Sequence, residues 1–156
     1  MTQDQIPDEL KSLVNEKNEL LVWQKDTWGR WGQHNNIYTF VIDLEKLEQT
    51  PIFKLITTRH VNNDSRKNYH RYTYAKIDEI IEKLQGKVLK IVHDYASSSN
   101  RIVTVRYYLV TGEGFKQLEH ESGLRDEQGF FDRVKLPDSR ALIVRKNSVQ
   151  IIDLSR

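Results

Sequence analysis

Residues 88–110 decide the fold class: Val88-Leu89-Lys90-Ile91-Val92-His93-Asp94-Tyr95, then Ala96-Ser97-Ser98-Ser99-Asn100, then Arg101-Ile102-Val103-Thr104-Val105-Arg106-Tyr107-Tyr108-Leu109-Val110. Two runs rich in β-branched and aromatic residues flank five small polar ones, the composition of two strands joined by a hairpin loop. Alternation puts Leu89, Ile91, His93 and Tyr95 on one face of the first run and Val88, Lys90, Val92 and Asp94 on the other. In the second run Val103, Val105, Tyr107 and Leu109 oppose Ile102, Thr104, Arg106, Tyr108 and Val110. Apolar residues on both faces place the pair centrally in a sheet.

Just upstream, Ile77, Ile80, Ile81 and Leu84 share one helical face, while Asp78, Glu79, Glu82 and Lys83 lie off it and Gly86 stands ready to end the helix. The spacing predicts a covering helix over about 75–85. Ile6, Leu10, Leu13 and Val14, behind Pro7-Asp8-Glu9, predict a shorter N-terminal helix. Leu20 to Trp23 and Ile37 to Ile42 read as a hairpin with a loop of about a dozen residues. Leu44 to Gln49 reads as a helical turn capped by Asp43, Ile52 to Val61 as a strand opened by Pro51, and Asn62 to Ser65 as a turn. Thr111 to Gly114 reads as a turn, since its lone Gly-x-Gly lacks the rest of a phosphate loop. Glu119-His120-Glu121 is expected in a solvated helix after Phe115. Phe130 to Leu136, Ala141 to Arg145 and Val149 to Leu154 predict a C-terminal β-meander. The expected fold is therefore α+β, a largely antiparallel sheet with one main helix over it. Residues 1–156 are expected to be a single domain, with 129–156 readable as a semi-independent lobe.

Composition narrows the chemistry. The 156 residues include no cysteine, which removes disulfides, thiolate nucleophiles and sulfur-ligated metal sites. Met1 to Glu9 lacks the features of a secretory signal, and no apolar run approaches the roughly 18 residues of a membrane span. A cytoplasmic protein without membrane contact is expected. The 24 Lys and Arg against 22 Asp and Glu are close to balance, but six cations (Lys54, Arg59, Arg66, Lys67, Arg71, Lys76) and only Asp64 as an anion fall between Phe53 and Lys76.

Within that basic stretch, Arg59-His60 and Tyr69-His70-Arg71-Tyr72-Thr73-Tyr74 interleave cations with aromatic rings. Cations neutralise phosphates and rings stack on unpaired bases, so the leading expectation is a non-catalytic module for nucleic acid or another phosphate-rich ligand. Its candidate ligand-binding residues are Arg59, Arg66, Lys67, His70, Arg71, Tyr72 and Tyr74, joined by Trp28, Arg30 and Trp31 of Trp28-Gly29-Arg30-Trp31-Gly32. Tyrosines packed under the sheet beside a merely solubilising loop would have the same composition. The Trp28/Trp31 loop equally suits a protein-interaction module, an inhibitor or accessory subunit, because Trp, Tyr and Arg dominate interface hot spots. A third alternative is a metal-independent ribonuclease using His60 and His70 as acid and base, with Arg71 or Lys67 stabilising charge. Asp43, Glu45, Asp64 and Asp94 have no metal-ligand spacing, and no histidines pair at the zinc spacing, so neither metal nor cofactor is expected.

Overall fold

The structure, a computed structural model, describes residues 6–155. A single helical turn, α1 (Asp8–Lys11), precedes β1 (Glu19–Trp28), β2 (Gln33–Asp43) and β3 (Glu48–Pro51). A 3-10 turn at Ile52–Lys54 leads to β4 (Arg59–Asn62), β5 (Tyr69–Lys76) and α2 (Ile77–Leu84). Seven antiparallel strands follow: β6 (Val88–Ala96), β7 (Arg101–Thr111), β8 (Gly114–Leu118), β9 (His120–Asp126), β10 (Gly129–Lys135), β11 (Arg140–Val144) and β12 (Val149–Asp153). The larger sheet runs β4-β5-β1-β2-β6-β7-β8, with β3 on β2, and the smaller runs β12-β11-β10-β9.

Alternation along the central strands feeds two cores. Val41, Leu89 and Tyr108 turn toward α2, where they join Ile37, Ile91 and Val110 beneath Ile77, Ile80 and Leu84, with Leu10 of α1 beside them. Their chain neighbours Ile42, Val88 and Tyr107 turn the other way and pack with Leu118 against Val134, Leu136, Leu142, Val144 and Val149. Tyr107 is fully buried there, and its hydroxyl donates to Asp132 Oδ2 at 2.5 Å, tying the two sheets together. Gly86, at φ +84°, ends α2 and lets its N–H reach the Val110 carbonyl at 2.8 Å.

The antiparallel sheet, the covering helix and the C-terminal meander agree with the sequence reading. The α+β class holds only in part: strands take 58% of the described residues and helices 10%, so the protein is mainly β with a small helix. Several elements differ in detail. The β1–β2 hairpin has no long loop, because both strands run on to a turn at 29–32. Their outer residues are mostly polar and half-buried, without the apolar alternation that marks a strand in sequence. Ile52 to Val61 is not one strand: Pro51 starts a 3-10 turn that buries Ile52, and pairing resumes only at Arg59. Glu119-His120-Glu121 is not helical, as β9 begins at His120 and adds a fourth strand to the meander. Of the helical turn expected over Leu44 to Gln49, only a turn at 44–47 forms, because Glu48 and Gln49 already pair in β3; Asp43 caps it, its Oδ1 accepting the Glu45 and Lys46 N–H groups, each at 2.9 Å.

Candidate functional site

Three hairpins lie side by side in the large sheet, β4–β5, β1–β2 and β6–β7, and their turns at 63–68, 29–32 and 97–100 fall at the same end. At the usual strand spacing, this end is roughly 24 Å wide. It carries Arg30, Trp31, Arg66 and Lys67, so the two motifs distant in sequence meet in space. Trp31 is 74% exposed, with the Arg30 guanidinium 6.0 Å from its ring centre. Among the described residues, Arg30, Arg66 and Lys67 have no carboxylate within salt-bridge distance. Trp28, by contrast, closes β1 and is half-buried.

Other candidate cations are already engaged. Arg59 holds Glu19, 5% exposed, through Nη2 at 2.6 Å and Nε at 3.1 Å, and covers the Tyr74 ring at 5.1 Å. The hydrogen bonds from Arg59 and then Asn15 lower the Glu19 carboxyl to about 2, despite burial. Arg59 is therefore engaged as the ion-pair partner of Glu19, with its own side chain partly exposed. Arg71 forks onto Asp64 at 2.8 and 3.1 Å and lies 5.1 Å over Tyr69, and its hydrogen bond holds Asp64 below the ordinary carboxylate range. Arg71 nonetheless stays half exposed, so its outer edge faces solvent.

Strand register assigns the rings to faces, since directly opposed residues project to the same side. Tyr72 and Tyr74 pack, half-buried, against the helix-side core, away from the face that carries Tyr69. Tyr69, Arg71 and Thr73 belong to the opposite face. There Thr73, Trp23, Tyr38, Val92 and Val105 form one row across five strands. Lys25 lies opposite Arg71 in the adjacent row, and Phe40 opposite Lys90 on the other side. Trp23 meets Tyr38 edge-on at 4.7 Å and Phe53 at 5.2 Å. The meander covers only the far part of this face, leaving half-buried rings beside cations. Sequence reading missed Trp23, Lys25, Tyr38, Phe40 and Lys90 as site residues. Their alternation was visible, but which face stayed open depended on strand pairing.

The histidines do not converge. His60 shares a 2.9 Å hydrogen bond with Thr73 on the open face, whereas His70 pairs through Nδ1 with Asp26 on the helix side. An acid and a base on opposite faces of one sheet cannot flank one phosphate, so the His60/His70 ribonuclease arrangement is not assembled. His34 Nε2 lies 3.1 Å from Asp94 Oδ1, and Arg101 also binds Asp94, at 2.9 and 3.1 Å. The His70–Asp26 and His34–Asp94 pairs stitch the central hairpin to each neighbour near the turn end. Among the described residues, no three His, Asp or Glu side chains gather as metal ligands, and no helix is long and apolar enough to cross a membrane. No protein-family model, curated protein or solved structure matches the chain.

Proposed function

We propose that this protein binds single-stranded nucleic acid as a non-catalytic module, with its turn end and the adjoining open sheet face as the contact surface. The observation that carries this reading is the convergence of three hairpin turns, which sets Arg30, Arg66 and Lys67, without a carboxylate partner among the described residues, beside exposed Trp31 and Tyr69. The cations would meet phosphates, while Trp31 and Tyr69 offer faces for unpaired bases. Arg71 and Lys25 extend the cationic path onto the face that carries Trp23. Tyr72, Tyr74, His70 and Arg59 support the surface from behind. A cytoplasmic setting belongs to the same proposal and rests on the cysteine-free composition.

Fluorescence anisotropy with a labelled single-stranded oligonucleotide tests the reading. Three phosphate contacts should weaken binding roughly twentyfold between about 50 and 200 mM salt, since each contributes a slope of about 0.7 for single strands. Arg66→Ala with Lys67→Ala should lower affinity and flatten the salt slope by about 1.4. Binding that ignores both salt and these substitutions would reject the nucleic-acid reading. It would favour a protein partner anchored on Trp31, for which the exposed Ile102 and Val103 at the same end of the sheet provide apolar surface.

A further inference from the structure

The open face of the large sheet ends in a cleft of about 450 Å3, where the β11–β12 turn overhangs β2 and β6. Tyr38, Phe40, Lys90 and Val92 form its floor, Gln49 and Pro51 of β3 one wall, and Lys146 and Asn147 the other. The size falls within the ordinary range for small-molecule sites. Gln49 braces the cleft: its amide nitrogen donates to the Arg145 carbonyl at 2.7 Å, while its oxygen accepts from Lys90 Nζ at 3.3 Å. This bridge fixes the two walls relative to each other.

Lys90 is the unusual component. It is a half-buried ammonium with no carboxylate within salt-bridge distance among the described residues, lying 5.8 Å from the Phe40 ring centre. Burial lowers its basicity, and Asp132 offsets this only from a distance. A desolvated cation with spare N–H groups above an aromatic floor has an incomplete set of partners. An anion would complete it, and the flat rings beside it would accept a planar ring.

We propose that this cleft binds a small planar aromatic anion, its ring lying against Tyr38 and Phe40 and its anionic group meeting Lys90, with Lys146 at the mouth. The cleft shares Tyr38, Phe40 and Lys90 with the open face of the nucleic-acid reading, but the assignment does not rest on that reading, since the turn-end cations Arg30, Arg66 and Lys67 lie outside the cleft. Two sources share the chemistry, an aryl carboxylate and a mononucleotide, and two probes separate them. Amide NMR of the full chain titrated with anthranilate and with adenosine 5′-monophosphate should show saturable shifts at Tyr38, Phe40, Lys90 and Val92 with at least one probe. The responding probe identifies the anionic group. Lys90→Met should weaken that binding at least about tenfold, whereas Arg66→Ala with Lys67→Ala should leave it unchanged. Should Lys90→Met unfold, the exposed change Asn147→Asp, which adds an anion at the mouth, should weaken binding at least about threefold. Absence of saturation with both probes at about 10 mM would overturn the assignment. So would shifts confined to 29–32 and 63–68, or affinity indifferent to the cleft substitutions.

Discussion

Glu19 shows how one residue can reverse the meaning of another. Its carboxylate is buried at the start of β1, so Arg59, a promising phosphate ligand by composition, is spent holding it. The folded-state value of about 2 lies below the ordinary 4.5. The stabilisation is therefore complete above about pH 4.5 and is lost as pH falls toward 2. Arg59→Ala should lower Tm by about 5 °C near neutral pH, and the difference from wild type should shrink in acid, followed by thermal melts across pH. A penalty independent of pH would mean that the loss lies in packing over Tyr74. The tryptophans separate in the same way. Trp31→Ala should leave Tm within about 1 °C of wild type, while Trp23→Ala, which breaks contacts with Tyr38, Phe40 and Phe53, should cost on the order of 2 kcal/mol by denaturant unfolding.

The β1–β2 hairpin is the element on which the turn end depends. Gly29 adopts φ +78°, and a Cβ there would lie 2.3 Å from Gln33 Oε1. That same oxygen accepts the Trp31 N–H at 3.3 Å, so the turn holds Trp31 outward by a contact that a side chain at position 29 would disturb. Gly29→Ala should destabilise the protein by about 1–2 kcal/mol and shift the Trp31 fluorescence. Gly32, at φ +74° but with open space around it, should show the backbone penalty without the collision. Comparing the two alanine variants by denaturant unfolding and fluorescence isolates the Gln33 contact. The length of this hairpin was hard to read because Lys25-Asp26-Thr27 and Gln33-His34-Asn35-Asn36 lack apolar alternation. They are strand residues because their neighbours on β5 and β6 pair with them, through His70–Asp26 and His34–Asp94 among other contacts.

Across the whole molecule, the two cores share the central strands: neighbouring residues of β2, β6 and β7 point into one core or the other. Leu142→Ala, deep in the meander core, should cost about 2–5 kcal/mol and reduce hydrogen-exchange protection in β2 and β6 as well as β11. Loss of protection restricted to β9–β12 would instead make the meander an independently opening unit. The sequence by itself determined the β6–β7 hairpin, the amphipathic α2, the three C-terminal strands and the absence of thiol chemistry. Each follows from alternation, helical spacing or composition, signals contained within a few neighbouring residues. It also located the cations and rings of the turn end. Only the tertiary structure decided that Tyr72 and Tyr74 face the core, that His60 and His70 lie on opposite faces, and that Trp23, Tyr38 and Phe40 share the open one. It alone brought Gln49 onto Lys90 and Glu19 onto Arg59, partners 41 and 40 residues apart. A local pattern gives a residue two faces to choose between, whereas long-range strand pairing and the packing of the meander determine which face meets solvent and which charges are already paired.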